Sequence, residues 1–238
     1  KTFEYNPYFE PKLERYVNSK GETVESRTKY TSDLDYSTLV SKYMISLPVQ
    51  NEETINGKVR NGSIMKYNND GKLSESYNTN NTSSPIQYAT ASSIPSYYER
   101  NKVFEYDPDY KNIRSVLLEN ATPTVYLWSY KGQYPVAEIK NASYAAVEAA
   151  LGGAGVVEAF RKSFPTESQL SNFLSTLRTA LPEAQVNTYA YKSLYGMSNQ
   201  TDAKGQTSSF DYDGFQRLKY IKDQNGNIMK ANEYHYKP

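Results

Sequence analysis

The chain has 238 residues, with 27 basic and 26 acidic side chains, one histidine and no cysteine. That length allows one large or two small domains whose core needs no staples, and the missing thiols exclude disulfides and thiolate metal sites. The near-cancelling charges are interspersed, which excludes the electrostatic footprint of a nucleic-acid binder.

The first unit starts at Phe3-Glu4-Tyr5-Asn6-Pro7, an aromatic, an acid and a tyrosine at the mouth of a turn. A second turn at Asn18-Ser19-Lys20-Gly21 follows, Gly21 being able to take the positive φ that closes a hairpin. Thr23–Tyr30 then alternates, with Thr23, Glu25, Arg27 and Lys29 on one side, the period of a strand with one wet face. Residues 64–73 form a partial copy, a hairpin with a compact polar turn, and 78–96 is a Ser/Thr/Asn/Pro-rich loop.

The device returns at Phe104-Glu105-Tyr106-Asp107-Pro108, leading through Ile113 and a turn at Asn120-Ala121-Thr122-Pro123 to a third strand at 125–130. Residues 145–151 and 156–163 are rich in helix formers and flank Gly152-Gly153. A third helix has sharper signals: Thr166 with Gln169 forms a capping box, Leu170, Phe173, Leu174, Leu177 and Leu181 follow at helical spacing, and Pro182 ends it. That stripe must bury, most simply on the face of the sheet. Strand character resumes at 186–191.

The last unit begins at Phe210-Asp211-Tyr212-Asp213-Gly214. Leu218 precedes Gly226 by eight residues, as Leu13 precedes Gly21, and Ile228, Met229 and Tyr234 belong to a terminal strand. The three units, 1–30, 102–130 and 208–236, are therefore each expected to fold as consecutive antiparallel strands. Tyrosine, at 24 residues, suits such a half-buried pleated surface, where the ring packs and the hydroxyl reaches a partner. The most apolar stretch, 145–160, is too short to cross a bilayer and is broken by Glu148 and Glu158; no signal peptide is visible.

Chemical candidates have bland readings beside the functional ones. His235, without a second histidine, is a surface or cross-strand residue and not a metal anchor. Gly152-Gly153-Ala154-Gly155 follows a helix and lacks a Gly-Lys-Ser/Thr, so it connects helices and does not cradle phosphate. Asp211 and Asp213 lie two apart, as do Asp107 and Asp109, but a glycosidase needs carboxyls paired across a cleft, and Asp213 suits turn capping better. The segment 223–227 lacks the glycine position and closing Glu of a calcium loop. Tyr126, Trp128 and Tyr130 are either a stripe for stacking a sugar ring or part of an interior strand with Val125 and Leu127 behind it. No metal or cofactor is expected.

Residues 205–218 resemble the tyrosine-aspartate (YD) repeat of bacterial Rhs-like surface proteins. The match is carried by Gly205, Tyr212, Asp213, Arg217, Leu218 and, further on, Gly226. Gln216 stands where that pattern has glycine, which suggests a less tight turn. Residues 125–130 and 134–139 are also similar to segments of large YD-repeat proteins of Gram-negative gut bacteria. The resemblance covers roughly the C-terminal half and implies an exported, strand-winding scaffold at the cell surface or outside it. Some such scaffolds enclose a C-terminal toxin. With a first residue Lys1 and a last hairpin ending at Pro238, the chain reads as a processed product or fragment without that toxin, and Thr2–Tyr5 as an edge strand that upstream repeats would cover.

The expected fold is mainly β: an antiparallel meander of YD-repeat-like hairpins with a helical insertion over about 143–181. The expected regions are a hairpin repeat at 1–140, the insertion at 141–184 and C-terminal strands at 185–238. The expected function is structural and non-enzymatic, with upstream repeats of the same polypeptide as partners. The alternative is a glycan- or protein-binding module using exposed Tyr and Trp, and a carboxylate-based hydrolase stands third.

Overall fold

A computed structural model describes residues 1–79, 84–90, 93–119, 121–192 and 194–235. Among them, fifteen strands follow one another along an antiparallel sheet in sequence order. The chain divides into two compact units, Lys1–Phe104 and Glu105–Pro238. Asn120 of an expected turn, Tyr236 of the expected last strand, and 80–83 and 91–92 of the expected loop lie outside the described residues.

The first unit contains β1 (Thr2–Tyr5), β2 (Pro11–Val17), β3 (Thr23–Tyr30), β4 (Pro48–Ile55), β5 (Lys58–Tyr67) and β6 (Leu73–Thr79), and β7 (Tyr98–Tyr106) runs through its boundary. β6 thus continues into what the sequence suggested was loop. Asn56 and Gly57, with φ 50° and 77°, close the β4–β5 hairpin, both central residues being left-handed as a primed turn requires. Between β3 and β4 a 3-10 turn (Thr31–Asp33) and a short helix, α1 (Ser37–Ser41), fold Tyr36 and Leu39 onto Val49. Five residues carry too little periodicity for that helix to be read from sequence. A second small core gathers Ile64, Ala89 and Tyr98.

The wet face expected of β3 is not uniformly wet. Glu25, placed on it by alternation, is only 6% exposed. Arg15 Nε at 2.6 Å and Arg27 at 2.7 Å donate to its carboxylate, with Thr54 Oγ1 at 3.3 Å. Burial pushes the Glu25 carboxyl up, but the hydrogen bonds from Arg27 and Arg15 outweigh it and hold it below the usual carboxylate range. Arg15 from β2 and Arg27 two residues along β3 itself supply the cations that make a wet-face carboxylate tolerable inside.

The second unit continues with β8 (Ile113–Leu118), β9 (Thr124–Ser129) and β10 (Tyr134–Lys140). The helical insertion follows as α2 (Tyr144–Ala150), α3 (Ala154–Lys162) and α4 (Glu167–Ala180). Then come β11 (Gln185–Lys192), β12 (Gly196–Thr201), β13 (Thr207–Tyr212), β14 (Leu218–Lys222) and β15 (Ile228–Ala231). Thr166 and Gln169 cap α4 reciprocally. Leu170, Leu174 and Leu177 bury against Val125, Leu127, Ile139 and Val186 of the sheet, each leucine contributing roughly 1.5–3 kcal/mol by leaving water. Phe173 stays at the rim, stacked on Phe160 at 3.9 Å. The terminal strand stops at Ala231, short of Tyr234, whose hydroxyl bonds the Leu218 carbonyl at 2.9 Å.

Candidate functional site

One turn geometry recurs. At Asn6, Asn18, Asn68, Asp202, Asp213 and Asp223 the side-chain Oδ1 accepts the backbone N–H groups two and four residues on, at 2.9–3.0 Å. The residue three further on, Phe9, Gly21, Gly71, Gly205, Gln216 or Gly226, takes a left-handed φ between 64° and 83°. This is a type I turn closed by a bulge, with the Asx side chain satisfying donors the hairpin would leave open. Asp107 makes a version one residue longer, its carboxylate accepting from Asp109, Tyr110 and Asn112.

The looser turn expected at Gln216 is not found: its N–H bonds the Asp213 carbonyl at 3.0 Å, as in the glycine copies. Arg217 adds a side-chain bond to the turn's first residue, as Glu10, Glu22 and Asn227 do in other copies. Its guanidinium holds Asp213 Oδ2 at 2.6 Å and fixes the turn from outside. The hydrogen bonds from Arg217 keep the Asp213 carboxyl below the usual carboxylate range.

A second device was not read from sequence. Tyr30, Tyr67, Tyr191, Tyr212 and Tyr234 each donate a hydroxyl to a carbonyl near the start of the preceding strand: Pro11, Pro48, Pro135, Met197 and Leu218, at 2.8–3.1 Å. Trp128 does the same with its indole N–H, 2.7 Å from the Ile113 carbonyl. A strand's first carbonyls have few ladder partners, and a phenol reaching across satisfies one while its ring covers the bend. The signal was present as a tyrosine at strand ends, but only strand pairing identifies the acceptor.

Trp128 also lines the groove that best qualifies as a ligand site. It holds about 410 Å³ over β9 to β11 and is walled by Tyr126, Trp128, Pro135, Tyr189 and Tyr191, with Glu138 among the rings. Tyr126 pairs across the ladder with Glu138, and Trp128 with Pro135; the register shift between Pro135 and Ala137 bends β10 beneath them. Burial pushes the Tyr126 and Tyr189 hydroxyls up, and the Glu138 charge pushes them further. Tyr191, buried beside Tyr189, Tyr130 and Tyr134, is pushed up to about 12.

Tyr130 does not continue this stripe. It follows the end of β9 with φ 54°, which breaks the alternation and turns its ring into the core on the helical side. There it meets Phe164 edge-on at 6.4 Å.

The other candidates are spread apart. His235 is exposed, 3.7 Å from Glu233. Gly152 and Gly153, with φ 97° and 106°, join α2 to α3. Asp211 pairs with Lys222 at 2.6 Å, Asp107 with Arg161 at 3.2 Å and Asp109 with Lys162 at 3.3 Å. Among the described residues no group of three or more His, Cys, Asp or Glu is gathered to hold a metal, and no helix is long and apolar enough to cross a membrane.

No family model matches the chain, and no curated protein matches it. Solved structures do. The crystal structure of TcdB2-TccC3-TEV matches 98% of this chain at 12% identity and TM-score 0.39. That of TcdB2-TccC3 matches 92% at 11% and 0.39. The Photorhabdus luminescens Tc holotoxin pore matches 97% at 14% and 0.31. The chain spans 12% of the length of each of these.

Proposed function

We propose that this chain is a non-enzymatic structural segment of an exported YD-repeat-like scaffold. The observation that carries the reading is the recurrence of one turn and one tether along successive strands. Both devices serve backbone satisfaction: the turn closes a hairpin, and the tether ties it to the hairpin before it. An architecture built this way gains stability from neighbours, and that is what repeat scaffolds need. β1, with Phe3 50% and Tyr5 54% exposed, offers an edge on which a further strand of such a scaffold would pair. The carboxylates that a hydrolase would use are engaged by turn N–H groups or by basic side chains. Broad hydrolase screening of the purified chain, with fractionation of the cells that make it, tests the proposal. The expected result is no turnover and an exported protein; turnover abolished by one substitution, or retention in the cytoplasm, overturns it.

The aromatic groove favours a second reading, a glycan- or protein-binding module at the cell surface. Array binding with native chain and with Trp128→Ala separates the two, since a pure scaffold gives no binding that depends on Trp128.

A further inference from the structure

We propose that the groove over β9 to β11 docks an extended peptide through a basic side chain, arginine or lysine, whose stem lies on Tyr126, Trp128 and Tyr189 and whose charge meets Glu138. The inference rests on the binding-module reading and assigns that module its ligand class.

The groove's composition decides between ligand chemistries. A sugar site needs polar groups around the ring to pair hydroxyls, and an aromatic platform alone does not supply them. Here the obvious donors are spent. The Trp128 N–H is held by the Ile113 carbonyl and the Tyr191 hydroxyl by the Pro135 carbonyl. What remains is a set of π faces, the Tyr126 and Tyr189 hydroxyls and one carboxylate. The lining contains Glu138 and no basic residue. Aromatic faces present negative potential, and a carboxylate among them adds to it, so the complement is a cation carried on an apolar stem.

Lys140 borders the groove and reaches Glu138 at 3.3 Å. Its side chain is 50% exposed, and such surface pairs exchange readily, so an incoming guanidinium can share or replace it. Arginine fits better than lysine because a planar guanidinium stacks on rings while bonding a carboxylate. Recognition by a peptide also suits the place, since alternate side chains of an extended segment point the same way and would meet the groove in register.

Trp128 is the chain's one tryptophan, so intrinsic fluorescence reports from the groove itself. The native chain is titrated with the blocked peptide Ala-Arg-Ala-Arg-Ala, with the same peptide carrying norleucine for arginine, and with cellotetraose. The expected result is a saturable change with the arginine peptide and affinity for the norleucine peptide lower by about tenfold or more. Glu138→Gln is expected to lose a similar factor, and added salt to weaken the arginine peptide alone. Equal response to arginine and norleucine peptides overturns the inference. A response to cellotetraose only also overturns it, while leaving the binding-module reading in place. No response to any probe overturns the inference, and the array test with Trp128→Ala then decides the binding-module reading.

Discussion

Replacing Gln216 with Gly should stabilise the protein. Gln216 sits at φ 64° in the Asp213 turn, where Gly205 and Gly226 occupy the equivalent position at 83° and 82°. A left-handed L-residue costs about 1–2 kcal/mol, and glycine's greater unfolded freedom returns roughly 0.5–1 of it. The expected gain is therefore about 0.5–1 kcal/mol, a rise in Tm of about 1–4 °C for a chain of this size. Phe9, at φ 64° and 88% exposed, should respond to Phe9→Gly in the same direction. The converse is Gly226→Ala, where an added Cβ meets nothing within 4 Å, so the loss should reflect backbone conformation alone. Gly71→Ala should lose more, because its Cβ would lie 2.5 Å from Met44 Sδ. Urea unfolding followed by circular dichroism gives the magnitudes, and hydrogen exchange of β13 and β14 amides locates the Gln216 effect. A neutral Gln216→Gly together with a neutral Gly226→Ala would refute the reasoning, since the left-handed residue would then not be where the turn's strain resides.

Leu174, 3% exposed at the α4–sheet contact, should cost about 2–5 kcal/mol as Leu174→Ala. Thermal melts measure it, and a loss near zero would mean that α4 contributes no core. Tyr67→Phe removes the 2.8 Å bond to the Pro48 carbonyl and should cost about 1 kcal/mol by urea unfolding. An unchanged midpoint would make that tether idle. Burial pushes the hydroxyls of Tyr36, Tyr97 and Tyr191 from 10.0 up to about 12, and Tyr98 further up. Their raised values favour the protonated fold, so this stability is complete below pH 10 and is lost as pH climbs towards about 12. Tyrosinate absorbance recorded alongside circular dichroism tests the sign; all phenols titrating at the ordinary value with the fold intact would contradict it.

Many of the strands and turns and the three helices of the insertion were legible because they are local, whereas β4 and β12 were not. Alternation in β3, the Thr166–Gln169 box, the leucine spacing of α4 and the Asx residues at hairpin mouths each act within a few residues of themselves. Chemistry at that range is written in consecutive letters. The short α1, the burial of Glu25 and the turn of Tyr130 away from Tyr126 and Trp128 were not legible, because each depends on what arrives from elsewhere in the chain.

The same division runs through the candidate site. Tyr126 and Trp128 could be named from their own strand, but Glu138, Tyr189 and Tyr191 come from β10 and β11; alternation puts Tyr189 with Tyr191, yet sequence spacing does not say which residues lie beside Tyr126 and Trp128 until register is set. The sequence by itself determined an antiparallel chain of hairpins with a helical cover. Only the tertiary structure decided which tyrosine meets which carbonyl and that aromatic rings gather around one carboxylate. The physical reason is that local hydrogen bonding and periodicity act between near neighbours, whereas pairing register and burial are properties of segments that meet only after folding.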